Sequence, residues 1–498
     1  MIIDYIIVQA GGKGTRLGYL TKNKPKALVP VDNLPLLFHL FKKFPDKRFI
    51  IIADYKREVL RRYLMCFAET VYQIVDADGV GTCGGMSKAL GLLPAGAPFL
   101  LIWSDIILPE SFALPTKKGN YIGISETFAC RWRYDNGIFE EKASDACGVA
   151  GLFVFHKKSC ISDVPKNGEF VRYLSKTKKA FDAIGLGGAK EIGRLPEFNN
   201  IVRPKCRPFN CIVENGGLLT KEAINEQGRK LAADECAWYE FASSRGIDMI
   251  PKIYGVNPLK MEIIGGKNIY EYDDLSKKDK SAVLQKLVDA LNRLHATANT
   301  PADYFSAMEN YYGKTMRRLQ QIRELLPFSG KKMVVINNKE CRNIFYHHRE
   351  LEQKLASLSY GCFKFIHGDC TFSNIMLRDG TTPVFIDPRG YFGYTKLYGD
   401  PVYDWAKLYY SIVGNYDRFN LGDFRLTLNK KSVELRIASN NWEDMESDFF
   451  KLTGADPAIV KLIHAVIWLS LSAYAWHDYD SICGAYYNGL YYMEDALC

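Results

Sequence analysis

No two cysteines of this 498-residue chain stand in a CxxC spacing, and the thirteen present are scattered. An odd, dispersed set argues against a disulfide framework and fits a reducing cytosol. No run of lysine and arginine concentrates the net charge of +9. That weakens a nucleic-acid role and favours small anionic ligands. The opening MIIDYIIVQAGG has neither the basic start nor the cleavage site of a signal peptide. Asp4 interrupts it, and it reads as a buried first strand. The longest apolar stretch, AVIWLSLSAYAW near residue 470, is too short to span a bilayer and reads as a core helix. These absences predict a cytosolic protein without a membrane segment. Internal repeats and low-complexity tracts are also missing.

The length exceeds what one hydrophobic core supports, so two or three domains are expected. Hydrophobic content of 47% and charged content of 24% are those of an ordinary globular protein. Short β-branched runs at residues 2–9, 49–53 and 99–103 alternate with helix-like segments such as LPLLFHLFKKF and KREVLRRYLMCF. Strands alternating with helices predict an α/β domain with a doubly wound, mostly parallel sheet. GVAGLFVFH (148–156) adds a buried strand, and the polar, proline-containing VRPKCRPFN places a domain boundary near 205. Beyond it, FNCIVENGGLLTKEA reads as strand, Asn-Gly-Gly turn, strand. EQGRKLAADECAWYEFASS then reads as a helix. Leu284, Leu287, Val288, Leu291 and Leu294 mark one helical face. A small lobe over about 206–277 and a helical lobe over about 278–498 make a kinase-like silhouette.

Two stretches carry chemistry. The first is IVQAGGKGTRLGYLTKNKPKALVPV (7–31). A glycine turn behind a strand lets backbone N–H groups approach phosphate oxygens with no Cβ in the way. Gly11, Gly12 and Gly14 supply such a turn, Arg16 can grip a phosphate through two nitrogens, and Lys26 adds a point charge. The stretch is neither a Walker A motif nor a Rossmann fingerprint. The second is FIHGDCTFSNIMLRDGTTPVFIDPRG. Phosphoryl transfer needs a carboxylate to orient the acceptor hydroxyl and take its proton, and oxygen ligands for Mg²⁺ on the ATP phosphates. Asp369 suits the first role; Asn374 and Asp387 suit the second.

GGKGTRL…KPKALVPV resembles the signature of the nucleotidyltransferases that make nucleoside-diphosphate sugars. The resemblance covers residues 1–205 and implies a Rossmann-like mixed sheet with helices on both faces. By it, Gly11, Gly12, Gly14 and Thr15 bind nucleotide phosphate, Arg16 stabilises the leaving pyrophosphate, and Lys26 contacts the phosphates of substrate and nucleotide. It also implies Mg²⁺ on Asp105, in FLLIWSDIIL, and on Glu191, in KEIGRLPEF, where glutamate stands for the family's aspartate. GVGTCGGMSKAL (79–90) is similar to the family's base- and sugar-facing loop, implicating Gly81, Thr82 and Gly85. Glu169, in GEFVRYL, resembles a sugar-contacting glutamate of some relatives.

HGDCTFSNIM…VFIDPRG resembles the aminoglycoside phosphotransferase and choline kinase superfamily over residues 206–498. That implies a bilobal, protein-kinase-like α+β fold. Asp400 and Asp404 of GDPVYDWAKL then have structural roles, and His367 supports the loop without acting as a base. Lys221 is the expected lysine on the ATP phosphates and Glu235 its helix partner, with Glu240 as the rival. The hinge beside adenine is expected near MEIIGG (261–266).

A kinase makes a phosphorylated metabolite and a nucleotidyltransferase consumes one. Together they imply consecutive Mg²⁺-dependent steps on ATP, a second NTP and a small hydroxylated acceptor, most simply a sugar or polyol. The resemblance suggests an NDP-activated precursor for capsule or lipopolysaccharide, without nucleic-acid partners or membrane insertion and with homo-oligomerisation left open. One alternative is a choline or amino-alcohol kinase joined to a phosphocholine cytidylyltransferase. Another is a nucleotide-sensing regulator with one inactive domain.

Overall fold

The computed structural model describes residues 1–161, 163–177, 179–199 and 210–497. Two compact units result: Met1–Arg203 with His477–Asp480, and Pro204–Trp476 with Ser481–Cys498. The boundary expected between 205 and 206 lies outside the described residues.

The first unit is built on a nine-stranded sheet. Its parallel part runs Val71–Asp76, Arg48–Ala53, Tyr5–Gln9, Phe99–Trp103. The antiparallel strand Gly148–Phe155 follows beside Phe99–Trp103 and carries Tyr121–Ser125 on its other edge. Continuous apolar runs such as FIIIA and FLLIW are what a sheet covered on both faces requires. Ile7, Ile50, Phe99, Leu101 and Phe153 share one core with Phe170 and Leu174 of the helix Phe170–Thr177.

The register sets the site. Gln9 lies opposite Trp103, so the two neighbouring parallel strands end side by side. The glycine turn after Gln9 and the aspartate after Trp103 therefore emerge together at the carboxyl edge of the sheet, where doubly wound folds bind ligands.

The second unit opens with an antiparallel sheet in the order Asn210–Asn215, Leu218–Ala223, Leu259–Glu262, Ile253–Val256. The helix Glu226–Ser244 follows the hairpin, capped by Asn225, whose side chain accepts from the Gly228 N–H. The sheet ends at Glu262, and Gly266–Asn268 instead pairs with Ile375–Arg378 of the second motif. The chain thus changes partners inside the stretch expected to be the hinge. A Cβ on Gly266 would sit 2.1 Å from the Leu377 carbonyl oxygen, so this crossing requires glycine. Asp379, in the turn between Ile375–Arg378 and Thr382–Phe385, donates its N–H to the Gly265 carbonyl (3.2 Å).

Beyond 277 the unit is mainly helical, as expected, but not wholly so. Met333–Ile336, Lys339–Arg342, Phe424–Leu428 and Ser432–Ile437 form a further four-stranded sheet. The apolar stretch near 470 belongs to an 18-residue helix, Pro457–Tyr474. By length and composition that helix could cross a membrane, yet 61% of it is buried inside the protein. It is a core helix.

Candidate active sites

In the first unit, Gly14 adopts a left-handed conformation (φ 63°), and a Cβ there would sit 2.9 Å from Thr21 and 3.1 Å from Lys26. The glycine is therefore what lets the turn lie over Lys26. Gly12 has open space around it, whereas a Cβ on Gly11 would press on Asp54 at 2.9 Å. Thr15 and Arg16 begin the short helical turn Thr15–Thr21.

Lys26 is buried, and its ammonium donates to Asp105 Oδ2. The other carboxylate oxygen, Asp105 Oδ1, is buried with no hydrogen-bond partner. A buried carboxylate oxygen left unpaired is costly unless something charged completes it. Glu191 is brought in by strand pairing: Lys190–Glu191 runs antiparallel to Ile106–Ile107, and the Ile192 N–H donates to the Asp105 carbonyl (3.0 Å). Arg16 Nη2 lies 3.9 Å from Glu191 Oε1. The structure therefore gathers Arg16, Lys26, Asp105 and Glu191 around the glycine turn. One orphaned oxygen and a second carboxylate suit Mg²⁺, which binds through one or two carboxylates and substrate phosphates. Among the described residues there is no cluster of three or more metal-binding side chains.

The 79–85 loop is wedged against the segment before Phe170. A Cβ on Gly81 (φ 86°) would meet the Gly168 carbonyl oxygen at 2.4 Å, and Thr82 Oγ1 accepts from the Phe170 N–H (2.7 Å). Gly85 caps the helix Met86–Gly91, donates its N–H to Asp78 and packs on Ile52. The structure thus gives Gly85 a packing role. Glu169 accepts from Trp132 Nε1 (2.7 Å) and lies 3.3 Å from Arg131.

In the second unit, Asp369 follows the strand Cys362–Phe365. Its carbonyl accepts from the Asn374 side-chain amide (2.8 Å), so the amide oxygen is the end of Asn374 suited to a cation. Asn374 and Asp387 meet through hairpin register. Ile375 pairs with Phe385, and the Ile386 N–H donates to the Asn374 carbonyl (2.9 Å). Asp387 is left-handed (φ 56°), a strained geometry for aspartate, and its N–H donates to Tyr239 Oη (3.2 Å).

Lys221 bonds both oxygens of Glu235 (2.9 and 2.8 Å) and Asp387 Oδ1 (2.7 Å). Glu235 is therefore the partner; Glu240 is exposed. Glu235, Trp238 and Tyr239 share one helix face, and Trp238 Nε1 donates to the Ile366 carbonyl (2.7 Å). That docking carries Glu235 and Lys221 to the hairpin flanked by Asn374 and Asp387. Burial would push the Lys221 ammonium down, but Asp387 and Glu235 outweigh it and hold it above the ordinary lysine value.

His367 has both ring nitrogens engaged. Nδ1 accepts from the Asp369 N–H (3.2 Å), and Nε2 donates to the Ile386 carbonyl (3.0 Å). Burial pushes its pKa down. It holds the loop as a neutral ring. Asp404 accepts from the N–H groups of His367 (2.9 Å) and Gly368 (2.7 Å), and from His295 Nε2 (3.0 Å). Burial alone would raise its pKa, yet the His295 contact and backbone donors hold it below the usual carboxylate range. Asp400 caps the helix Pro401–Ile412 and accepts from Tyr311 Oη (2.8 Å). Both aspartates are structural. Lys407, which the motif reading missed, lies 2.8 Å from Asp369 Oδ1. Its signal was available: in DWAKL it follows Asp404 by three residues, on the same helix face.

Residues 5–116 match the family model "Nucleotidyl transferase", and residues 225–427 match "Phosphotransferase enzyme family". The chain joins a nucleotidyl transferase domain to a phosphotransferase-family domain. It is 42% identical over 57 residues to the UTP–glucose-1-phosphate uridylyltransferase of Haloferax volcanii, covering 11% of this chain and 24% of that protein. It is 26% identical over 174 residues to the mannose-1-phosphate guanylyltransferase catalytic subunit beta of Drosophila melanogaster, covering 33% of this chain and 44% of that one. The chain thus spans less than half the length of these curated relatives. Among solved structures, HddC from Yersinia pseudotuberculosis aligns at 22% identity over 40% of this chain and 98% of its own, with a TM-score of 0.34.

Proposed function

We propose that the chain phosphorylates a hydroxyl of a sugar or polyol with ATP, then joins that product to a nucleotidyl group, yielding an NDP-activated precursor and pyrophosphate. The observation that carries this reading is the pairing, in one polypeptide, of Lys26–Asp105 under a glycine turn with Asp369, Asn374 and Asp387 beside a Lys221–Glu235 pair. The first reaction belongs to the second unit. Asp369 accepts the acceptor's proton while its oxygen bonds the γ-phosphorus and the β–γ bridge breaks, releasing ADP. Lys407 steadies Asp369, and Lys221, fixed by Glu235, takes ATP phosphate. Asn374 and Asp387 would hold Mg²⁺ here, as Asp105 and Glu191 would in the first unit. When bound, the metal neutralises phosphate charge.

In the first unit, a phosphate oxygen of the product bonds the α-phosphorus of an NTP and the α–β bridge breaks. Lys26 draws the two anions together, the glycine turn holds the nucleotide phosphates, and Arg16 receives the departing pyrophosphate. Both reactions belong in the cytoplasm on this reading, consistent with every described cysteine being a free thiol. The test is incubation of the full chain with ATP, each NTP and a panel of acceptors, read by mass spectrometry. A diphosphate-linked nucleotide product that needs Mg²⁺ and disappears in chelator supports the reading. Full turnover in excess chelator, or ATP consumption without a phosphorylated acceptor, refutes it.

A further inference from the structure

Beside Asp369, the second unit holds a cavity whose wall carries four cations: Lys314, Arg318, Arg389 and Lys407. They come from separate places: Lys314 and Arg318 one turn apart on the helix Lys314–Ile322, Arg389 just after Asp387, and Lys407 on Pro401–Ile412. Their partners are uneven. Lys407 pairs with Asp369 (2.8 Å). Lys314 donates to the neutral Asn310 side chain (2.6 Å), Arg318 to the Ser470 carbonyl and hydroxyl (3.1 and 2.9 Å), and Arg389 to Tyr403 Oη (3.0 Å). Among the described residues, no carboxylate forms an ion pair with Lys314, Arg318 or Arg389. The nearby Glu309 is committed to Arg317.

Lys314, Arg318 and Arg389 are thus held close together in a half-buried wall whose carboxylate, Asp369, is paired with Lys407. Burial, together with Arg389, Arg318 and Lys407, pushes the Lys314 ammonium well below its ordinary value. Burying like charges together costs free energy that a ligand of opposite charge recovers. That ligand is not the ATP triphosphate, because Lys221, Glu235, Asn374 and Asp387 lie outside this wall and only Asp369 is shared. The cavity is bordered by Asp369, the carboxylate assigned above to the acceptor hydroxyl. Aromatic faces such as Tyr403 and Tyr474 complete it, as suits a sugar or polyol chain.

We propose that the acceptor carries its own anionic group, a phosphate or a carboxylate, besides the hydroxyl that is phosphorylated, and that Lys314, Arg318 and Arg389 bind it. This rests on the second unit being a small-molecule kinase. Its product then carries two anionic groups, and a quaternary ammonium acceptor meets repulsion from the same wall. The guanidinium forks suit either oxyanion.

The test uses the full chain with ATP and Mg²⁺ and reads ADP release and product mass. One arm holds glucose, mannose, ribose and glycerol; a second their monophosphates; a third gluconate, glucuronate and glycerate; a fourth choline. The expected result is a kcat/KM for a member of the second or third arm at least about a hundredfold above that of its neutral parent. Which arm responds separates phosphate from carboxylate. In Arg318→Leu, the KM for that acceptor rises at least about tenfold while the KM for ATP moves less than about twofold; Lys314→Met gives the same split if Arg318→Leu does not fold. Turnover of a neutral sugar or choline as good as that of any anion overturns the inference and leaves the kinase reading standing. An unchanged acceptor KM in both folded variants also overturns it. No transfer to any member overturns the kinase reading and this inference with it.

Discussion

In the first unit the two cations of the candidate site differ sharply: the Arg16 side chain is 58% exposed, while Lys26 is 10% exposed and bound to Asp105. In the second unit the corresponding groups are almost all enclosed. Asp369 is 12% exposed, Lys407 9% and Lys221 11%, and only Asp387 is open. On the proposed reading, the glycine turn is a surface that bound phosphates would complete. The Asp369 loop of the second unit is completed by the protein itself, through His367, Asp404 and His295. Function and stability should therefore separate in the first unit and travel together in the second.

The largest expected effect tests that the sites are independent. Asp369→Asn should lower phosphoryl transfer about a thousandfold and leave pyrophosphate release from an already phosphorylated substrate intact. Arg16→Ala should do the reverse, lowering pyrophosphate release at least about a hundredfold with stability within about 0.5 kcal/mol of the parent. Parallel ADP and pyrophosphate assays with urea melts measure both; loss of both activities in one folded variant breaks the comparison. Next comes Asp404→Ala, which touches no substrate. It strands two buried N–H groups and His295, and should destabilise the second unit by about 3 kcal/mol, seen as a lowered urea midpoint. A wild-type midpoint would show that the loop is held otherwise.

The smallest effect is a pH dependence. His464 is fully buried beside Trp468, and burial pushes its pKa down to about 3. Above pH 6.5 the ring is neutral whether the chain is folded or not, and its contribution is complete. Below that, the unfolded chain takes up a proton that the folded one refuses. Stability should then fall by up to about 1.4 kcal/mol per pH unit, and less steeply in His464→Leu. Urea melts at pH 7.5 and 5.5 measure this.

Much of both sites was legible because their chemistry demands particular residues close together in sequence. A glycine turn, a lysine after proline and an aspartate ending an apolar strand can be found without coordinates, and so can Asp369, Asn374 and Asp387. Strand order then explains why Asp105 joins the turn. The cationic wall was not legible: the pair Lys314 and Arg318 lies about seventy residues before Arg389 and further still before Lys407, and on a helix a lysine or arginine reads as a solvated face. The choice of Glu235 over Glu240 is legible in the sequence, since Trp238, Tyr239 and Ala242 mark an apolar face and Glu240 falls off it. The sheet near 333–342 and 424–437 was missed because Val335 finds Ser432 almost a hundred residues away, and local periodicity is silent at that range.

The hydrogen bond from Asp379 to Gly265 has a practical consequence. It ties the outer tip of the Ile375–Phe385 hairpin to the stretch where the chain leaves one sheet for another. Asn374 and Asp387 sit at the opposite end of that hairpin. An environment-sensitive dye at the neighbouring exposed Thr381 would therefore report whether added ATP changes this junction, while standing at the far end of the hairpin from Asn374 and Asp387.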